Sequence, residues 1–461
     1  MSGSTTNPRL RRIAVSAFLV ALVAVSCAEN EPETAEPSTT ATSSPVDDDA
    51  DADPAESDDE DNPAADDEGG DGPSPEVQWA IDFVGGTHGP ADGEPIRIGV
   101  SGAFDFLQME DDAAQAAADF VNAELGGVDG RPLELVFCNM AVPEDGSACA
   151  AEFANDPDLT AVLAAGALEG SADFWAGLAE KKPMLQGAPL GVADFTTDAA
   201  PTYNSGALGA GASLSIFALE FEPSTIALVV TDDTAGRAGQ SVFAPIVEDA
   251  GVDLRTVFVP PTATAPEVSS ALQAAGADQA DVIVSGLFEQ GCIAMIDALT
   301  SLGIDTVETP FLTPSTCWGD VVQQHQANIG AEYAWPNGWH FAWGYNPWNP
   351  SFENGTQTYI SVMEAAGFGN EMFGAGGDFS FSGILAIVRA LNAAEGDYSW
   401  ATVDRELRDW AGPHMMQVGS LECGQSATFR SVCADQVGIW QFLDGVWLDS
   451  TVVDISPILQ G

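Results

Sequence analysis

The sequence predicts an α/β fold of doubly wound parallel sheets divided between two lobes. From Ile96 onward, short apolar runs alternate with helix-period segments, the order expected of parallel strands with helical crossovers. The runs read as buried strands, and there are more of them than one compact sheet usually holds.

At 461 residues the chain has room for two or three domains, but its first part is not built to fold. Residues 1–27 carry Arg9, Arg11 and Arg12 ahead of the apolar run Ile13 to Val25, which is too short to span a bilayer and has the flanks of an export signal. The run ends in Ala24-Val25-Ser26-Cys27, which resembles a bacterial lipoprotein box. Cys27 is thus the expected lipidation site, and the protein is expected to be held by acyl chains on the extracytoplasmic face of the cell membrane. Residues 28–76 contain no Lys or Arg and are filled with acidic, Pro, Ser, Thr, Ala and Gly residues. Such a stretch buries too little apolar surface to offset ordering entropy, so it predicts a disordered, self-repelling tether. Residues 77–95 follow as an extension packed on the first lobe.

Charge excludes one class of partner. The chain has 13 Lys and Arg against 70 Asp and Glu, a formal net charge of −57, and its lysines are Lys181 and Lys182. A nucleic acid is not expected as a partner.

Besides Cys27, the cysteines fall in sequence-near pairs: Cys138 with Cys149, Cys292 with Cys317, and Cys423 with Cys433. An even number in an exported chain favours disulfides, and sequence-local pairing is the simplest scheme. No CxxC or His-rich partner stands beside them, so neither a metal nor a cofactor is expected.

The elements follow in order. The run Ile96, Ile98, Val100 ends in Ser101-Gly102-Ala103, and a helix with apolar positions Ala113, Ala117, Phe120 and Val121 comes next. A Gly-rich turn at Gly126 to Gly130 leads to a strand at Leu133 to Cys138 and a helix from Ser147 to Ala154. A strand at Ala161 to Ala165, a helix at Ala172 to Glu180 and a strand at Met184 to Gln186 complete the first series. The second series reads helix Gly209 to Glu220, strand Thr225 to Thr231, helix Gly239 to Ala250, strand Asp253 to Phe258, helix Glu267 to Ala274, strand Asp281 to Ser285 and helix Gly291 to Leu302. Tyr333 to Pro350 is an aromatic cluster broken by proline and glycine. A helix at Gly383 to Ala394 and a hairpin around Asp444-Gly445 close the chain.

The segments IRIGVSGAFD and DFVNAELGGVDGRPLELV resemble the start of type I periplasmic solute-binding proteins of the leucine/isoleucine/valine-binding family. Further matches are Val162 to Ser171, Pro183-Met184-Leu185, Ile226 to Asp232 and Ser285 to Gly303, so the resemblance runs from Ile96 to about Leu448. It implies two Rossmann-like lobes joined by three crossovers, with a ligand in the cleft and hinge closure. Lobe one is expected at residues 96–208 plus 313–435, and lobe two at 209–312 plus 436–461.

The resemblance also implies a site. In amino-acid-binding members a Ser and Thr pair with backbone N–H groups holds the ligand carboxylate, and a Glu on the second lobe takes the ammonium. Glu289, in Phe288-Glu289-Gln290-Gly291, matches that glutamate. The turns that would hold a carboxylate, with Glu169, Gly170 and Ser171 on one and Ala188 and Pro189 on the next, lack most of the hydroxyls, and Glu169 would repel an anion. A Tyr-Gly pair of many relatives falls on Ala235-Gly236. Ala103, Phe104 and Asp105 after the first strand, and Asp233 and Thr234 after the strand at Thr225, complete the expected lining. If Glu169 and Glu289 both face the cleft, the ligand is a cationic or amide-bearing compound rather than an aliphatic amino acid, with Trp339, Trp343 or Phe104 as aromatic faces.

Enzyme readings find no support. His88, His325, His340 and His414 show no metal spacing, and neither a GxSxG elbow nor a phosphate-binding fingerprint is present. The expected function is therefore an extracytoplasmic solute-binding subunit that captures a small polar ligand and delivers it to an ABC permease as a monomer. The alternatives are a surface sensor component and a structural lipoprotein with a vestigial cleft.

Overall fold

The computed structural model describes residues 72–107, 109–166, 169–329, 335–344, 355–373, 376–448 and 451–460. The expected signal peptide, Cys27 and nearly all of the tether lie outside them. Residues 70–461 form one compact unit.

The first helix, α1 (Pro75–Val84), starts where the tether was expected to continue to Glu76. Pro75 opens it, and the Ser74 hydroxyl accepts the Val77 N–H at 3.4 Å. Its buried face of Ala80, Phe83 and Val84 joins the first-lobe core.

Lobe one follows as β1 (Ile96–Gly102), α2 (Glu110–Glu124), β2 (Leu133–Asn139), α3 (Pro143–Asn155), β3 (Leu159–Gly166), α4 (Ser171–Leu178), β4 (Met184–Ala188) and the short α5 (Val192–Thr196). All pairings are parallel, in the order β2-β1-β3-β4. The three strands β1, β3 and β4 are almost wholly buried, which is why they read as continuous apolar runs.

Lobe two comprises α6 (Gly206–Leu219), β5 (Thr225–Thr231), α7 (Thr234–Asp249), β6 (Asp253–Val259), α8 (Ala265–Ala275), β7 (Val282–Gly286), α9 (Glu289–Leu302), β8 (Phe311–Pro314), α10 (Asp320–Ile329) and β9 (Trp339–Trp343). The order β6-β5-β7-β8-β9 is parallel throughout and repeats the first-lobe pattern. The chain then returns to lobe one as α11 (Thr356–Ala365), α12 (Gly377–Ala393) and α13 (Trp400–Arg408). α12 packs on α2, β3 and β4. Finally β10 (Gln436–Leu443) runs antiparallel to β9, with β11 (Val446–Trp447) and β12 (Thr451–Asp454) on its other side, and α14 (Ser456–Gln460) ends the described chain. Asp444 and Gly445 turn the β10–β11 hairpin, both with positive φ, as an Asp-Gly pair favours.

One expected boundary moves. Lobe one was expected to resume at Thr313, but β8 and β9 both hydrogen-bond into the second sheet, so the return to lobe one falls after Gly344. The aromatic cluster hid a strand. All five residues of β9, Trp-His-Phe-Ala-Trp, are buried, so the run lacks the alternation that marks a half-exposed strand. Disulfides join Cys138 to Cys149, Cys292 to Cys317, and Cys423 to Cys433.

Candidate functional site

In open α/β sheets the ligand crevice lies beyond the carboxyl ends of the strands, at the point where strand order reverses. Lobe two has that point between β5 and β7, and a cavity of about 170 Å³ opens there. Its floor is the ends of four strands, with Val230 and Thr231 from β5, Gly286 from β7, Pro314 from β8 and Trp343 from β9.

Two helices make the walls with the same spacing. Gly206, Ala207, Ala210, Gly211 and Leu214 face the cavity from α6, and Ala235, Gly236, Gly239, Gln240 and Phe243 from α7. Each set steps by one, three, one and three residues, which is one face of a helix. Small residues bring the helices together: a Cβ at Gly211 would stand 2.5 Å from the Gly239 carbonyl oxygen. From lobe one and its connection to α6, the lining includes Ala188, Leu190, Asn204, Ser205 and Phe379.

No lining residue carries a formal charge. The inner wall is apolar, with Leu214, Leu228, Val230, Phe243, Val284 and Val437. Polar lining groups are neutral, and several are already engaged. The Thr316 hydroxyl donates to the Leu287 carbonyl at 2.6 Å, and the Asn204 carboxamide oxygen accepts the Gly206 N–H at 2.6 Å.

The expected site residues distribute differently. Ala188 and Phe288 line the cavity. Ala103, Phe104 and Asp105 do not. The Ala103 N–H donates to the Gly166 carbonyl, Phe104 meets Phe137 edge to face, and the Asp105 carboxylate accepts from Asn139 at 2.7 Å. Pro189 is adjacent, its carbonyl accepting the Ala207 N–H at 3.1 Å. Gly170 adopts a left-handed conformation at the cap of α4, and Asp233 caps α7 by accepting the Gly236 N–H at 2.8 Å.

Neither glutamate lines the cavity. Glu169 on lobe one accepts a hydrogen bond of 3.2 Å from the Thr234 hydroxyl on lobe two, and the Glu289 side chain lies against Gly319 at the start of α10. Both were expected to face a ligand. The structure instead spends Glu169 on the opposite lobe and turns Glu289 across its own lobe. A second contact between lobes is the edge-to-face pair of Phe106 and Phe288, with centroids 5.0 Å apart.

Anion-binding donors in lobe one are also occupied. The buried Asp194 accepts from the Trp175 indole at 2.9 Å, from the Leu190 and Gly191 N–H groups at 3.1 and 2.8 Å, and from the Ser171 hydroxyl. Burial pushes its carboxyl upward, and these donors oppose the shift. The lobe-one switch point between β1 and β3 is filled as well. Gly102 and Gly166 lack the Cβ atoms that would collide with the Glu110 carboxyl, which burial raises well above the usual carboxylate range. Beside it, burial raises Asp378 to about 6, while the Trp343 side chain favours the anion.

Sequence reasoning missed most of the cavity, above all Gln240, Phe243, Ser315 and the α6 face. The available signal was the small-residue spacing in GALGAGASL, but α6 is apolar all round and reads equally well as a core helix. Trp343 lines the cavity as an aromatic face, whereas Trp339 packs on Phe311 in the core.

Two lobes of like topology thus flank an uncharged cavity at a sheet switch point. The chain belongs to the periplasmic binding protein family, whose model matches residues 95–417. Members are solute-binding proteins rather than enzymes. Among solved structures with the same fold is a leucine-binding protein, LivK, from Thermotoga maritima, at 15% identity and TM-score 0.62, covering 78% of this chain and 99% of that one. Another is a solute-binding protein of an ABC transporter from Rhodopseudomonas palustris HaA2 in complex with p-hydroxybenzoic acid, at 14% identity and TM-score 0.65, covering 79% and 98%. A third is a fatty acid ABC transporter substrate-binding protein from Thermomonospora curvata, at 14% identity and TM-score 0.64, covering 82% and 97%. No curated protein matches the sequence.

Proposed function

We propose that this protein is the solute-binding subunit of an ABC importer, holding one small molecule in the lobe-two cavity and closing lobe one over it. The observation that carries this reading is the 170 Å³ cavity at the β5/β7 switch point, walled by both lobes in a family of binding proteins. A cavity of about 150 Å³ accommodates a benzene ring, so the ligand body is about one ring or one branched aliphatic chain. Ligand that bridges the lobes favours the closed form, and the closed form docks on the permease. Of amino-acid-like, amide and cationic ligands, the amide agrees best with walls that carry no charge.

The family assignment and the export-signal composition support an extracytoplasmic location, and no helix among the described residues is long and apolar enough to cross a membrane. Anchoring through acylated Cys27 is part of this reading, with the acidic stretch as spacer and the folded part acting as a monomer. The test is a thermal-shift screen of the full chain against a metabolite panel at high salt. Stabilisation by a metabolite supports the reading, and its absence across the panel favours a vestigial cleft. Uptake of the bound compound by reconstituted permease separates transport from sensing.

A further inference from the structure

Three features fix what the cavity can hold, given that it is the ligand site proposed above. First, burying an unpaired charge is costly, and the walls supply no counter-ion. Second, both charged groups expected to face a ligand are spent elsewhere: Glu169 on Thr234, and Glu289 against Gly319. The lobe-one donors suited to an anion are satisfied by the chain's own Asp194. Third, Gln240 on α7 and Ser315 after β8 are neutral polar side chains on the lining that make no hydrogen bond among the described residues, as are Ser205 and Gln417.

We propose that the ligand class is an uncharged amphiphile. Its branched aliphatic or single-ring body fills the pocket of Leu214, Leu228, Val230, Phe243 and Val284, and a neutral hydrogen-bonding head, an amide or hydroxyl, is read by Gln240 with Ser315. Gln240 offers both a donor and an acceptor, so it matches a primary amide at both positions. A carboxylate or ammonium on the same body loses its hydration with no charged partner in exchange.

The test uses three probes of one body: isovaleramide, isovalerate and isopentylamine, titrated calorimetrically into the full chain at high salt and neutral pH. The amide is expected to bind at least about tenfold tighter than either charged probe. Gln240→Leu is expected to weaken the amide by about fivefold, the loss of one hydrogen bond, while benzene binding is kept or strengthened. Ser315→Ala, a smaller change, gives the same sign if the leucine variant does not fold. Isovalerate or isopentylamine binding as tightly as the amide overturns the assignment, as does a variant that keeps the wild-type preference. If none of the three probes binds while the metabolite screen finds a ligand, this inference fails and the solute-binding reading stands. Failure of the whole screen removes both.

Discussion

The Thr234 hydroxyl on lobe two donates a 3.2 Å hydrogen bond to the Glu169 carboxylate on lobe one. Phe106 on Phe288, and the Trp343 side chain on the Asp378 carboxyl, also bridge the lobes near the cavity. Contacts made only in the closed form lend their free energy to closure, and therefore to ligand affinity. Thr234→Val keeps the shape and removes the donor. Ligand is expected to bind about two- to tenfold more weakly by calorimetry, with little change in unliganded melting temperature. Unchanged affinity would mean that this bond persists in the open form.

Gly211 and Gly239 hold α6 and α7 in backbone contact, since a Cβ at Gly211 would stand 2.5 Å from the Gly239 carbonyl oxygen. Gly211→Val forces the helices apart. Chemical denaturation is expected to report a loss of about 1–3 kcal/mol, the usual scale of overpacking. Because both helices wall the cavity, affinity is expected to fall with stability.

The Cys292–Cys317 disulfide ties α9 to the turn after β8 that carries Ser315 and Thr316. The bridged cysteines are 25 residues apart, and in the loop-closure account a loop of that size contributes about 3 kcal/mol. The double variant Cys292→Ser with Cys317→Ser is expected to melt lower by that order. It is also expected to bind ligand less tightly, because one polar wall loses its tether.

Asp378 gives a pH dependence with a definite sign. Burial raises its carboxyl from 3.8 to about 6, so the folded state holds the proton that the unfolded chain releases. The stability it contributes is full below about pH 4 and is lost as pH rises through about 6. Glu110, raised by burial and by the neighbouring Asp111 and Asp378, acts in the same direction. Asp378→Asn is expected to flatten the part of the melting-temperature profile between pH 4 and 6. A wild-type profile that rises across that window would reverse the assignment.

The parallel-strand architecture was legible because buried strands such as Thr225–Thr231 are unbroken apolar runs between helix-period segments, and the hairpin because Asp-Gly has few other uses. The cysteine pairs followed from sequence proximity. What stayed hidden had physical causes. β9 is buried along its whole length and carries tryptophans, so it looked like an aromatic cluster rather than a strand. Glu169 and Glu289 are placed by motif position beyond strand ends, but motif position does not say which way a side chain turns. Thr234 and Gly319 decide that, one from the opposite lobe and one from a later segment. The cavity itself is made mainly of small and apolar residues, whose pattern is identical to that of a filled core.

That cavity is built unequally: α6, α7 and four strand ends belong to lobe two, whereas the lobe-one sheet and α12 lend little beyond Ala188 and Phe379. On the proposed solute-binding reading the consequence is kinetic. A solute arriving at the open molecule meets a nearly complete berth on one side, so capture depends on lobe two alone. Residence time depends on the clasp of Glu169–Thr234, Phe106–Phe288 and Asp378–Trp343. Entry and escape are thus governed by different residues, and a variant can alter one rate while leaving the other untouched.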